Sequence, residues 1–212
     1  MPNVSRINGF RPVKHVSGAP YSGQGNLYAI AAADAIALFV GDPVALDGSA
    51  TIPGLATVTK AGVAGPVLGV IVGFIPNNLD PATGGMTAGS VTLDTPQFRS
   101  ASTARFVLVE DSPDVIYEVE QATGANALYT FLPADVALNA SHSTVAGSTA
   151  TGYSAATLDM ATKAITATLP WKLLGATQRP DQDMITAPVQ STKVLVVINQ
   201  ATLGGGTGAT GA

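Results

Sequence analysis

The chain has 212 residues, of which 46% are hydrophobic, 11% are charged and none is cysteine. That apolar content supplies a core and excludes global disorder, while the missing cysteines exclude disulfide staples and thiolate chemistry. A net charge of −4 and a pI near 4.9 exclude the basic footprint of a nucleic-acid binder.

In chain order, residues 1–26 hold four glycines and three prolines and no apolar period, which predicts an extended N-terminal arm. Its anchors would be Val4, Ile7, Phe10, Val13 and Tyr21, and an arm of this kind needs a surface to lie on. Gly9, Pro12, Gly18 and Pro20 precede any apolar stretch, so the basic start does not read as a secretory signal. No apolar run approaches the ~20 residues of a membrane-spanning helix.

From residue 27 the pattern changes to short β-like runs between turn residues. Strands are predicted over 27–31, 35–40, 43–46 and 55–60, with 67–75 a buried strand in which Gly69 and Gly73 permit a bulge. Residues 77–89 read as a turn-rich loop, and 91–93 with 98–99 as a short edge pairing. The clearest strands are 103–110 and 114–120, and the Asp111-Ser112-Pro113 turn between them predicts a hairpin. On the second strand Val115, Tyr117 and Val119 share one face, and Ile116, Glu118 and Glu120 the other. Residues 133–163 are ambiguous between helix and strand and include a Ser/Thr/Ala/Gly stretch. Further strands are predicted over 164–169, 171–178 and 193–199, and the glycine-rich 204–212 reads as a flexible tail.

About ten short strands with frequent turns indicate an all-β fold, a β-sandwich, jelly-roll or barrel-like domain over 27–203 between the arm and the tail.

The sparse charges cluster. Arg6, Arg11 and Lys14 fall within the first fourteen residues, and Glu110, Asp111, Asp114, Glu118 and Glu120 within eleven positions. They are candidate docking handles, with Phe10 as an apolar contact of the arm.

The search for reactive groups finds none to assign. Only His15 and His142 could serve as a base, and His142 reads as a loop histidine that its neighbours Ser141 and Ser143 do not orient. Glu118 and Glu120, about 6–7 Å apart by strand rise, would suit a carboxylate pair, but few aromatic residues are available to line a cleft. A solvated face or docking patch fits them better. Asp181-Gln182-Asp183 lacks the surrounding pattern of a calcium loop, and the sequons at Asn3 and Asn139 carry no weight without a leader. No cofactor or metal is expected.

The order of several blocks resembles the capsid cement (head decoration) proteins of tailed bacteriophages. The blocks are RINGFRPVKHVSGAPYSGQGNLYAI at 6–30, ALFVGDPVAL at 37–46, VLGVIVGF at 67–74, ARFVLVEDSPDVIYEVEQ at 104–121, LLGATQRPDQD at 173–183 and KVLVVINQ at 193–200. The resemblance stops at 141–157 and at the tail. It implies a β-rich, non-catalytic virion protein made in the host cytoplasm. Such a protein would sit on the capsid exterior, bridge major capsid protein subunits and self-associate as a trimer, with no nucleic-acid or membrane partner. The competing expectation is another virion module, of tail or baseplate, binding a host glycan through exposed aromatic residues. Under the cement reading, deleting residues 2–14 should weaken attachment and leave the β-domain folded.

Overall fold

In a computed structural model, the structure describes residues 4–48, 54–79, 86–91, 94–124, 126–180, 182 and 191–203. The fold is all-β, as composition and punctuation predict. Nine strands come from the first half: β1 (Arg11–His15), β2 (Asn26–Ile30), β3 (Leu38–Phe39), β4 (Pro43–Asp47), β5 (Thr57–Lys60), β6 (Gly69–Leu79), β7 (Met86–Val91), β8 (Phe98–Arg99) and β9 (Arg105–Glu110). Five follow: β10 (Val115–Ala122), β11 (Asn139–His142), β12 (Leu158–Ala164), β13 (Trp171–Ala176) and β14 (Lys193–Ile198). Among the described residues a single 3-10 turn is present, over Pro133–Asp135.

Two sheets close on themselves. In the first, β4-β5-β2-β9-β6 are hydrogen-bonded in order and β4 also pairs β6, with β7 added outside the ring. In the second, β10-β12-β11-β13-β14 are paired in order, β14 returns to β10, and β1 lies outside the ring on β10. Closure covers most of the open edges that make flat sheets prone to aggregation. Each ring has its own apolar filling. Tyr28, Ile30, Val44, Val58, Ile71, Val107 and Val109 fill the first. Tyr117, Val119, Leu158, Trp171, Leu173, Val194 and Val196 fill the second. Strand β14 shows the sorting rule: Val194, Val196 and Ile198 point inward while their neighbours are half-exposed, as a period of two requires. Val70 of β6, with Ala61 and Val67 from the link between β5 and β6, also packs into the second core and joins the two.

The predicted hairpin is not formed. Strand β9 pairs with β2 on one edge and β6 on the other, while β10 pairs with β14 on one edge and with β1 and β12 on the other. Neither strand has an edge left for its sequence neighbour, so the Asp111–Pro113 link carries the chain from one ring to the other. Other boundaries also move. The expected loop at 77–89 contains the end of β6 and most of β7, and Phe98–Arg99 pairs with Leu38–Phe39 rather than with 91–93. The strand expected at 164–169 is the end of β12 followed by a turn. The tail at 204–212, Asn3, Asp181 and Asp183 lie outside the described residues.

The predicted arm is extended, and the surface it lies on belongs to its own chain. Phe10 N–H donates to Gly41 O at 2.9 Å. That approach needs two glycines: a Cβ on Gly9 would come within 2.5 Å of Gly41 O, and both residues have positive φ, +69° and +94°. Beyond Phe10, β1 runs antiparallel to β10, with Arg11 opposite Glu118 and Lys14 opposite Ile116.

Candidate partner-binding surface

The two charged clusters come together along β10. Alternation puts Val115, Tyr117 and Val119 into the second core, as predicted, and turns Glu118 and Glu120 outward. That outer face is not solvated: Glu118 is only 3% exposed and Glu120 4%. Distant segments cover it. Ser5 Oγ and the Arg6 N–H donate to the two oxygens of Glu120, both at 2.8 Å. The Arg179 guanidinium meets Glu118 at 2.6 Å, and Lys193 Nζ lies 3.8 Å from its other oxygen. Burial holds the Lys193 ammonium below its usual range, and Arg179 and Arg11 push the same way while Glu118 and Glu120 oppose them.

The remaining acids are also largely committed. Asp111 is buried and accepts from Asn26 Nδ2 at 2.9 Å and from the Tyr28 hydroxyl at 2.6 Å. Glu110 is buried, accepts from the Ser112 N–H at 3.1 Å, and has its pKa raised chiefly by that burial. Burial and the nearby Glu110 push the Tyr21 hydroxyl up to about 12. Of the five acids, only Asp114 is exposed.

Phe10 is a core residue. It is 1% exposed and stacks on Trp171, so it contacts the interior of this chain. The accessible part of the N-terminal segment comprises Arg6, Arg11 and Lys14 together with the exposed apolar Val4, Val13 and Val16. This mixed basic and apolar strip, with Asp114 hydrogen-bonded through its carbonyl to the Val16 N–H at 2.7 Å, is the part of the candidate set open to a partner.

His142 is not in a loop but on β11, buried beside Trp171. Its Nδ1 accepts from the indole N–H at 3.2 Å, which leaves Nε2 to donate to Ala61 O at 3.3 Å. Burial lowers its pKa to about 4; the Ala61 bond opposes this, and nearby Lys60 adds a lesser lowering effect. Ser141 donates to Val63 O and is not directed at the imidazole. Sequence reasoning missed this pairing because the flanking residues are Ser, Thr and Ala, and the partner tryptophan lies 29 positions away.

A second group of exposed apolar residues escaped the sequence reading: Leu128, Leu132 and Val136. They lie on the segment that Lys163 holds down through Tyr129 and through Asp135, at 2.5 Å to the carboxylate. Among the described residues no group of three His, Asp or Glu side chains is placed to hold a metal ion, and no helix is long and apolar enough to cross a membrane.

No family model, curated protein or solved structure matches the chain.

Proposed function

We propose that the chain is a structural cement protein. It binds the outer surface of a tailed-phage capsid and bridges major capsid protein subunits, and it self-associates as a homotrimer. On this reading it belongs to the virion exterior and works without catalysis. The observation that carries the proposal is the N-terminal strip, which displays Val4, Val13 and Val16 beside Arg6, Arg11 and Lys14 on an otherwise charge-poor body. A strip anchored at Phe10 is already ordered before it meets a partner. Binding then avoids much of the 1–2 kcal/mol per residue that ordering a free arm would cost. Repetition over a lattice multiplies modest contacts of this kind.

The aromatic distribution supports adhesion through this strip over glycan binding. Tyr153, at 46%, is the one aromatic side chain in the exposed class, and the other eleven are buried or half-buried.

The truncation of residues 2–14 is not a clean test, because it removes Phe10 from the core and β1 from its sheet. Lys14→Glu combined with Val16→Asp changes only exposed side chains. Wild-type protein should co-sediment with capsids lacking it, and the double variant should bind about tenfold or more weakly at unchanged stability. Failure of the wild-type protein to co-sediment overturns the cement reading; equal binding by the variant removes this strip from it.

A further inference from the structure

A groove on the outside of the first ring shares Arg11 with the N-terminal strip and is otherwise separate from it. Two cavities of about 540 and 420 Å³ adjoin there and share Val40, Val72 and Tyr153 in their walls. Their position follows from the pairing of β6. One edge of that strand pairs with β9 at Val70, Ile71, Gly73, Phe74 and Asn78, with irregularities between Ile71 and Gly73 and between Phe74 and Asn78. On the other edge the β4 pairing stops at Val70, Asp42 and Gly41 bond Ile71, and the β7 pairing begins at Asn77. From 72 to 76 this second edge has no strand partner among the described residues. Val72, Gly73, Phe74 and Pro76 line the smaller cavity, so this edge faces the groove. An exposed strand edge presents main-chain donors and acceptors, which a segment of extended polypeptide satisfies by adding as a further strand.

The charge in the groove has one sign. Its described walls include Arg11 and Arg105 and no Asp or Glu. The Arg105 guanidinium is spent on the carbonyls of Pro96 and Phe98, at 2.7 and 2.5 Å, and of Ile75 at 3.4 Å. The last bond takes that one acceptor of the 72–76 stretch, and the guanidinium lies 5.1 Å above the Phe74 ring. Arg11 is exposed and takes part in none of the ion pairs among the described residues. A carboxylate on an incoming chain would meet that unspent guanidinium at one end of the groove, with Tyr153 as an apolar rest midway.

We propose that this groove binds an extended acidic segment of a partner polypeptide, added as a strand along residues 72–76, with its carboxylate on Arg11 and an apolar side chain on Tyr153. The proposal shares Arg11 with the cement strip but does not rest on the cement reading, since it specifies the chemistry of the ligand and not the particle that supplies it.

The test pans a random peptide library on the immobilised full-length chain, with the Arg11→Glu/Tyr153→Ala double variant as the counter-selection. Both changes are at exposed side chains, and a circular dichroism spectrum confirms that the variant is folded. The expected result is enrichment of β-branched sequences carrying Asp or Glu. Synthetic copies of these should bind about tenfold more weakly to either single variant and slow amide exchange at residues 72–75. Three results overturn the proposal: no enrichment over the counter-selected variant, enriched peptides that bind both single variants as tightly as wild type, or protection confined to another strand. A response to a glycan array without any to peptides overturns it as well. Capsid co-sedimentation through the Lys14 and Val16 strip is scored separately, so either reading can fail alone.

Discussion

Phe10 and Trp171 lie with ring centroids 4.2 Å apart and planes within 20° of parallel, although 161 positions separate them in the chain. The stack joins the first segment of the protein to the inside of its second ring, where Tyr117 meets the same indole edge-on at 5.6 Å. A residue that sequence alone places on a free arm is therefore a structural member of the core.

Phe10→Ala should destabilise the protein by about 3–5 kcal/mol, the range for removing a buried phenylalanine and leaving a cavity. Chemical denaturation of the purified chain measures it. A cost below about 1 kcal/mol would show that the ring is not held in the core.

His142 makes stability depend on acid. Its folded-state pKa of about 4 lies below the ordinary 6.5, so the folded state binds its proton less readily than the unfolded state does. The contribution is complete above pH 6.5 and is lost as pH falls from there towards 4. Protonation at Nδ1 would also cancel the acceptor that the Trp171 indole uses. Denaturation midpoints across this window should fall in the wild type. In His142→Gln, which cannot titrate, the part of the slope due to this residue should vanish. An unchanged slope would assign the acid response to other groups.

Glu118→Gln removes the counter-charge from Arg179 and Lys193 at a nearly buried site. Arg179 is partly solvated and keeps other options, while Lys193 is more enclosed, so the expected loss is about 2 kcal/mol. The Lys193 ammonium should titrate at still lower pH in the variant, readable by NMR of a labelled lysine. No change in that titration would show that Glu118 does not act on it.

Gly41→Ala places a Cβ at φ +94°, where it would come within 2.5 Å of Asn8 O. The strained backbone and the clash together should cost about 1–3 kcal/mol and detach the N-terminal segment before the rest unfolds. Amide exchange at Phe10 should rise more than exchange in β14. Equal protection in both proteins would refute the anchoring role of this glycine.

The all-β class was legible because glycine and proline interrupt the chain every few residues, and because β10 alternates with a period of two. Its inward residues, Val115, Tyr117 and Val119, could be read directly, whereas the uniformly apolar run of β14 does not show which of its residues face inward. Pairing was less legible. Two alternating runs around Asp111-Ser112-Pro113 look locally like a hairpin, yet partners brought from residues 26–30, 69–79 and 193–198 already occupy their edges. The outer face of β10 misled for the same reason. Alternation shows that Glu118 and Glu120 point away from the core, but not that Ser5, Arg6 and Arg179 return to cover them. The candidate basic residues remain accessible, whereas four of the five candidate acids are buried.

The interlock of Phe10 with Trp171 also imposes an order on biosynthesis. Every strand of the first ring lies between Asn26 and Glu110, so that ring can close while the ribosome is still reading the second half of the message. Phe10 leaves the exit tunnel early and can bond Gly41 once the first ring forms, but its ring must wait for Trp171 to complete the stack. A newborn chain stalled before residue 171 would therefore be half folded, with one apolar ring at its front end still lacking its stacking partner.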